Sequence, residues 1–245
     1  MNVTLQNLER LADQGNIEAQ IALGGIYHTG ESVARDDRKA LQWWQKAAEK
    51  GNDVAQCCVG NAYLFGWGVP VNHDKAFQWL LKAAGNGNAT AQNNVAAIYA
   101  KTDAKKAVYW WHRAAEGGEA IALHALGTAY ATGAGVTRNL KEADAWWKKA
   151  VDVMMRQIKD TNDAGTMCQL GDAYEQGHGI KQDSYKAGYW WYKSAIQFYD
   201  VAQFRLGCAY AEGRGFPKNV ETARYWLRKA AAQGYAPAKQ LLEKL

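Results

Sequence analysis

A three-residue pattern recurs six times along this chain of 245 residues and restricts its fold more than any other feature. In each copy an Asp or Asn is followed four residues later by Ala and seven residues later by Trp. The copies are Asp36/Ala40/Trp43, Asn72/Ala76/Trp79, Asp103/Ala107/Trp110, Asn139/Ala143/Trp146, Asp183/Ala187/Trp190 and Asn219/Ala223/Trp226. A Tyr follows the same period, at Tyr27, Tyr63, Tyr99, Tyr130, Tyr174 and Tyr210. Two residue types that recur together at a period in the thirties predict an array of structural repeats.

Each copy has the signals of two helices. The first, helix A, contains the Tyr, and in most copies a Gly three residues later is expected to end it. The second, helix B, begins at the Asp or Asn, which are preferred N-cap residues, and is predicted to bury its Ala and Trp. Helix A also carries an internal Gly in five copies (Gly24, Gly60, Gly127, Gly171 and Gly207) and Ala96 in the third copy. Because Gly weakens a helix, these positions predict close approach of the partner helix.

The two ends of the chain each resemble half of a repeat. We therefore predict a single domain over residues 1–245, with an N-terminal capping helix in residues 1–15, six helix pairs in 16–234 and a C-terminal capping helix in 235–245. The third repeat has a connector five residues shorter than the others. The fourth repeat carries eight extra residues between 151 and 165, which we interpret as a longer helix B followed by a loop.

These residues resemble a known family over nearly the whole chain. The sixth copy reads Ala-Gln-x-x-Leu-Gly-x-x-Tyr-x-x-Gly-x-Gly over 202–215 and Lys-Ala-Ala over 229–231. The pattern is similar to the Sel-one-like repeat (SLR), a relative of the tetratricopeptide repeat. The resemblance implies an all-α, right-handed α-solenoid (superhelix) of antiparallel helix pairs, with six SLR repeats plus terminal half-repeat caps and the A helices on the concave face. It also implies a non-enzymatic scaffold or adaptor that binds a protein or peptide, in a family that is largely bacterial.

The distribution of charge indicates what kind of partner to expect. The net charge is +5, but the helix A segments carry only two basic residues against seven acidic ones. The concave face should therefore be neutral to mildly acidic and suit a neutral to basic polypeptide, whereas a nucleic-acid surface would need a basic stripe beside exposed aromatic residues. The predicted partner-binding residues are Asn61, Asn93, Asn94, His124, Thr128, Asp172, Glu175 and Gln176. Trp67 and Phe216, in the A–B connectors, are either loop anchors or exposed contacts.

Motifs for chemistry are missing from the sequence. Cys57, Cys58, Cys168 and Cys208 form no C-x-x-C pair, and the five His fall in different repeats without a metalloprotease motif. The Gly-x-Gly connectors join two helices, and none completes a G-x-G-x-x-G phosphate loop. We therefore predict no catalytic residues, no cofactor and no metal site.

Two other roles stay open at this point. One is a bacterial immunity protein that binds and neutralises a toxin or effector, and the other is a hydrolase that acts on cell-wall material. The first 14 residues lack the apolar segment of a signal peptide, and no apolar run is long enough to span a membrane. We expect a cytoplasmic protein without membrane insertion, or a periplasmic one if a signal peptide has been removed.

Overall fold

The computed structural model describes residues 3–245, and every regular element in that range is an α-helix. The helices are α1 (Val3–Asp13), α2 (Ile17–Thr29), α3 (Asp37–Glu49), α4 (Asp53–Phe65), α5 (His73–Gly85), α6 (Ala89–Tyr99), α7 (Ala104–Glu116), α8 (Ala120–Thr132), α9 (Leu140–Thr161), α10 (Ala164–Gln176), α11 (Ser184–Ala195), α12 (Asp200–Glu212), α13 (Val220–Ala232) and α14 (Ala236–Leu242). Even-numbered α2 to α12 are the A helices, odd-numbered α3 to α13 are the B helices, and α1 and α14 flank them. The predicted all-α array of helix pairs is confirmed. Residues 1 and 2 of the predicted N-terminal cap lie outside the described range.

The chain forms two compact units. The first consists of residues up to 122 together with 133–137, and the second of 123–132 together with 138–245. Within each unit, consecutive helices pack against each other, for example α4 on α5 and α12 on α13. The single domain over 1–245 stays a prediction.

The B helices begin where the repeat pattern predicts. In all six, the Asp or Asn of the pattern is the N-cap, and its side-chain oxygen accepts a hydrogen bond from a backbone N–H two or three residues later. Such a bond satisfies one of the N–H groups that the first turn leaves unpaired. This local chemistry explains why Asp or Asn recurs at one position in every repeat.

The internal glycines of the A helices leave room for a large side chain from helix B. A Cβ on Gly24 would lie 2.2 Å from Nε1 of Trp44, and a Cβ on Gly60 would lie 2.7 Å from Cγ of Leu80. Trp44 is only 3% exposed, so its ring has little room to move. The predicted close approach is confirmed, and the neighbour is chiefly a side chain of helix B rather than its backbone.

In the first, second and fourth repeats the landmark Trp of helix B is covered by a lysine. In the first repeat Trp43 is only half-buried, and Lys46 Nζ lies 3.9 Å from the centroid of its ring. The same pairing recurs three residues apart at Trp79/Lys82 and Trp146/Lys149, and a second set places Lys39, Lys75, Lys106 and Lys186 over the repeated Tyr of helix A. Many of the basic residues of the B helices therefore make cation–π contacts instead of being free surface charges.

A buried glutamine joins each of four A helices to the helix before it. The Nε2 group donates to the carbonyl eight residues earlier, in the pairs Gln20/Ala12, Gln56/Ala48, Gln92/Ala84 and Gln203/Ala195, at 2.9, 3.3, 3.1 and 3.1 Å. These carbonyls belong to the last turn of a helix, where each also accepts a backbone hydrogen bond from the residue three positions later. In α8 and α10 the same position holds Leu123 and Met167.

Replacing Gln203 by Leu is expected to lower the free energy of unfolding by about 1 kcal/mol, because the Ala195 carbonyl loses its buried side-chain donor and keeps only the backbone donor Phe198 N. Gln233 is exposed and donates to Gln203 Oε1 at 2.9 Å. Its replacement by Leu should therefore have a smaller effect and is the matched control. Urea unfolding followed by circular dichroism measures both variants. Equal losses for the two would contradict a special role of the buried amide.

The fourth repeat contains the long helix that the extra residues predicted. Helix α9 has 22 residues, against 12 or 13 in the other B helices, and ends at Asn162 with a left-handed φ of 52°. Its added turns bury Met154, while Arg156 and Lys159 are exposed. The prediction of a longer helix B is confirmed.

Candidate functional site

The predicted partner-binding residues of the first unit form a short chain of hydrogen bonds. Asn94 Nδ2, on α6, donates to Asn61 Oδ1, on α4, at 2.8 Å. Asn61 Nδ2 in turn points to the Sγ atom of Cys57 at 3.8 Å. Asn93 is only 7% exposed. Asn93 was predicted to contact a partner. Because its side chain is buried among the helices, that prediction is corrected.

The carboxylate of Asp172 is already paired inside the second unit. It accepts a hydrogen bond from Trp191 Nε1 at 3.0 Å and lies 3.1 Å from Nε of Arg205. Burial raises the pKa of Asp172, and the nearby Arg205 guanidinium counteracts part of that rise. This carboxylate therefore ties helix α10 to α11 and α12 and is not a free charge.

Glu175, one turn further along α10, is also paired. Its Oε1 accepts a hydrogen bond of 2.6 Å from Nη1 of Arg214, which lies in the α12–α13 connector. The same guanidinium contacts Glu212 through Nε at 2.6 Å. Three of the acidic residues on the A helices of this unit, Asp172, Glu175 and Glu212, are thus paired with two arginines. Sequence analysis missed these pairs, although Arg205 and Arg214 follow their partners by about one repeat.

A pair of histidines lies at the start of the second unit. His124 Nε2, on α8, is 3.1 Å from Nδ1 of His178, in the α10–α11 connector. The ring of His178 stacks on Trp147 with a centroid distance of 3.7 Å and an interplanar angle of 4°. Burial, with a smaller contribution from His178, lowers the pKa of His124 to about 4, and burial also lowers the pKa of His178. Both rings therefore prefer to be neutral, and each is held by its neighbours.

Two of the predicted contact residues remain exposed on the A helices of this unit. They are Thr128 on α8 and Gln176 at the end of α10. The Thr128 hydroxyl donates to the carbonyl of His124 at 3.2 Å, and the residue remains exposed. These two positions can be changed without breaking the ion pairs of Asp172 and Glu175.

The connector aromatics Trp67 and Phe216 are packed as loop anchors. The Trp67 ring lies 4.3 Å from the ring of His28 and stacks on Phe65. The Phe216 ring stacks on Tyr210 at 4.7 Å. Both side chains are half-buried, and each holds its connector against the preceding helix pair.

The thiols of Cys57 and Cys58 are free, with Cys57 buried and Cys58 partly buried. Burial raises the pKa of Cys57 to about 12 and that of Cys58 to about 11, so these thiols stay protonated. Within residues 3–245, no three His, Cys, Asp or Glu side chains come close enough together to hold a metal ion. In that same range no helix combines the length and the apolar character needed to cross a bilayer.

Comparison with known proteins identifies the family. The profile of the Sel1 repeat matches residues 17–52, 54–88, 89–119, 120–152, 164–197 and 200–235. No curated protein is significantly similar in sequence. Among solved structures, a Sel1 repeat protein from Oxalobacter formigenes is 30% identical, with a TM-score of 0.63, and the match covers 89% of this chain and 86% of that chain.

Two further solved structures that are similar to this chain are of bacterial proteins. The protective antigen c5321 of uropathogenic Escherichia coli, which displays an SLR fold, is 31% identical, with a TM-score of 0.58. That match covers 98% of this chain and 51% of c5321, so the chain spans about half the length of the antigen. The immunity protein Pa5087 of Pseudomonas aeruginosa is 18% identical, with a TM-score of 0.54 over 97% of this chain and 85% of that chain, and this likeness concerns the fold alone. Six matched repeats and the Oxalobacter structure establish that the chain belongs to the Sel1 repeat family.

Proposed function

We propose that this protein is a non-enzymatic scaffold that binds another protein or a peptide through the polar side chains of its A helices. Sel1 repeat proteins are protein-interaction scaffolds, which supports the general role. The observation that carries the proposal is the linking of A-helix side chains from one repeat to the next, as in Asn61–Asn94 and Asp172–Arg205.

These links favour binding because they reduce its entropic cost. A side chain that is already held by a neighbour loses little freedom when a partner docks. Since the guanidinium groups of Arg205 and Arg214 compensate Asp172 and Glu175, we propose a partner nearer the neutral end of the neutral-to-basic range. Such a partner would use its backbone and polar side chains to form hydrogen bonds with this surface.

The test is affinity capture from native lysate with a variant that changes the A-helix surface but keeps its ion pairs. Thr128→Arg/Gln176→Arg places two long side chains on exposed positions of α8 and α10. We expect the wild type to retain one partner reproducibly and this variant to lose it. Charge reversal at Asp172 or Glu175 is a poorer test, because it would break internal ion pairs as well.

The matched control adds the same two charges to the B helices. Ala145→Arg/Ala232→Arg changes exposed positions on α9 and α13 and should keep the partner. Retention of the partner by Thr128→Arg/Gln176→Arg would refute the assignment of the surface. Thermal melts of all three proteins show whether a loss of binding reflects unfolding.

Neutralisation of a toxin is a special case of the same binding role. The fold shared with immunity protein Pa5087 is compatible with it, but at 18% identity the likeness extends to the fold only. A captured partner with toxic activity that this chain suppresses would favour the immunity role. We propose no catalytic role, in keeping with a family whose members are generally non-enzymatic.

A further inference from the structure

Helix α11, the B helix of the fifth repeat, exposes a row of apolar side chains that other B helices lack. Tyr185, Tyr189, Tyr192 and Ile196 follow one another at intervals of four, three and four residues, which places them on one face of the helix. All four are exposed, Tyr185 by 67%. In α3 the corresponding positions hold Arg38, Gln42, Gln45 and Glu49.

Phe198, two residues after Ile196, is also exposed and apolar, and it occupies a position where most other repeats have glycine. Its φ is +65°, and the same turn before an A helix uses Gly15, Gly51, Gly87, Gly118 and Gly234 with φ between +79° and +97°. The backbone hydrogen bond is also the same, since Phe198 N donates to the Ala195 carbonyl at 3.1 Å as Gly51 N does to Ala48 at 3.0 Å. A bulky side chain in this left-handed region is strained.

Burial does not compensate for this strain, because Phe198 is 72% exposed. Strained residues that the fold does not need are found preferentially at functional sites. We call Tyr185, Tyr189, Tyr192, Ile196 and Phe198 the outer stripe. If each aromatic side chain has about 150–250 Å² of surface, the exposed fractions of the five outer-stripe residues correspond to roughly 500 Å² of apolar surface. That is near the upper end of the about 300–600 Å² that monomeric proteins expose in one patch.

Helices α11 and α13 together carry five basic residues and one acidic residue. Helix α11 contains no Asp or Glu, and its Lys193 lies 5.6 Å from the centroid of the Tyr189 ring. On the neighbouring α13, Arg228 is exposed and Lys229 lies over Tyr225. Glu221 is the acidic residue of α13. A ligand for this surface should therefore combine apolar groups with negative charge.

We propose that the outer stripe is a second docking surface, which binds an acidic segment of another protein with apolar side chains between its carboxylates. Tyrosine dominates the stripe, and tyrosine is enriched at protein interfaces because its ring packs and its hydroxyl forms hydrogen bonds. The lysines and Arg228 then pair with the carboxylates of the segment. This surface lies on the B helices and is independent of the helix-A surface of the proposed function.

Two other occupants fit the structure less well. A second copy of this chain, packed stripe to stripe, would bring Lys193 and Arg228 against the same basic groups of its partner. An anionic membrane would attract the lysines, but three of the five stripe residues are tyrosines, which favour the headgroup level, and this leaves only Ile196 and Phe198 for insertion. Both alternatives give distinct results in the test below.

The experiment is selection from a display library of random peptides on the immobilised wild-type protein. The best peptides are then synthesised with a fluorescent label, and their Kd is measured by anisotropy. We expect enriched peptides to combine Asp or Glu with aromatic or aliphatic residues. Tyr185→Ser/Tyr189→Ser and Lys193→Glu should each raise the Kd by at least about tenfold, which is about 1.4 kcal/mol.

Phe198→Gly separates binding from structure. Because glycine relieves the left-handed strain, this variant should melt about 2 to 4 °C higher than the wild type while its Kd rises about tenfold. Replacement of a residue with a purely structural role would not raise the melting temperature and weaken binding at the same time. Tyr109→Ser, at a solitary exposed tyrosine on α7, is the matched control and should leave the Kd within twofold.

Several outcomes would overturn the proposal. They are failure to enrich any peptide, enrichment of basic peptides, and an unchanged Kd in the stripe variants. Stripe-dependent binding to phosphatidylserine vesicles, with no peptide enriched, would assign the surface to a membrane. A wild type that sediments as a dimer and a Phe198→Gly variant that sediments as a monomer would assign it to a second copy. If only Thr128→Arg/Gln176→Arg lost its captured partner, that result would bear on the helix-A surface of the proposed function and not on the outer stripe.

Discussion

Replacing Gly24 by Ala is expected to lower the free energy of unfolding by about 2 to 3 kcal/mol, whereas the same change at the next residue, Gly25, is expected to raise it. A Cβ on Gly24 would overlap the Trp44 ring, with 2.2 Å to Nε1 and 2.3 Å to Cδ1. The ring is buried, so either α2 or α3 must shift. A Cβ on Gly25 meets no atom within 4 Å, and Ala there should add about 0.5 to 1 kcal/mol through helix propensity.

The two variants control for each other, since they introduce the same side chain into one helix. Urea unfolding measures both free energies, and the unfolded chains are almost identical. The explanation by packing requires opposite signs. If both variants are more stable than the wild type, Trp44 moves easily to make room for the new Cβ. If both are less stable, α2 needs glycine for another reason.

Lowering the pH from 7.5 to 5 is expected to destabilise the protein by about 2 kcal/mol through His124. Burial lowers the pKa of His124 in the folded protein to about 4, below the value of about 6.5 in an unfolded chain. The unfolded state therefore binds more protons between these values, so the stabilisation is present above pH 6.5 and is lost as the pH falls toward 4. His178, which faces His124 and has a lowered pKa, acts in the same direction.

Comparison with His124→Gln isolates this contribution. The variant should show a smaller decrease in melting temperature between pH 7.5 and 5 than the wild type. Asp172 and Glu119, whose pKa values burial raises, favour the folded state as the pH falls and oppose the effect in both proteins. His73 is exposed, and His73→Gln should keep the wild-type slope. The same slope in all three proteins would contradict the role of His124.

Local signals in the sequence were sufficient to predict the helices. An N-cap such as Asn72 and a terminating glycine such as Gly66 act within a few residues, so their effect does not depend on the rest of the fold. The extension of α9 could be predicted for the same reason, because the inserted residues continue a helical pattern. The repetition also predicted which helices pack together, since each repeat must cover its apolar faces with its neighbours.

The candidate sites were less predictable, because they depend on contacts between repeats. The pairing of Glu175 with Arg214 joins residues that are 39 positions apart, and no local sequence pattern predicts it. The outer stripe is different, since its signal was visible in the sequence. At the positions of Tyr185, Tyr192 and Ile196 the other B helices have mostly charged, polar or small residues, and at the position of Phe198 most other repeats have glycine. Such exceptions are missed when the chain is compared only with the repeat consensus, because the consensus describes what the copies share.

The lysines that cover aromatic rings make the stability of this protein sensitive to covalent modification. Acetylation of Lys46, Lys82 or Lys149 would remove the positive charge that lies over a tryptophan ring. Each exposed contact of this kind contributes about 0.5 to 1 kcal/mol, so acylation at several repeats would weaken the array step by step. Methylation keeps the charge and should preserve these contacts.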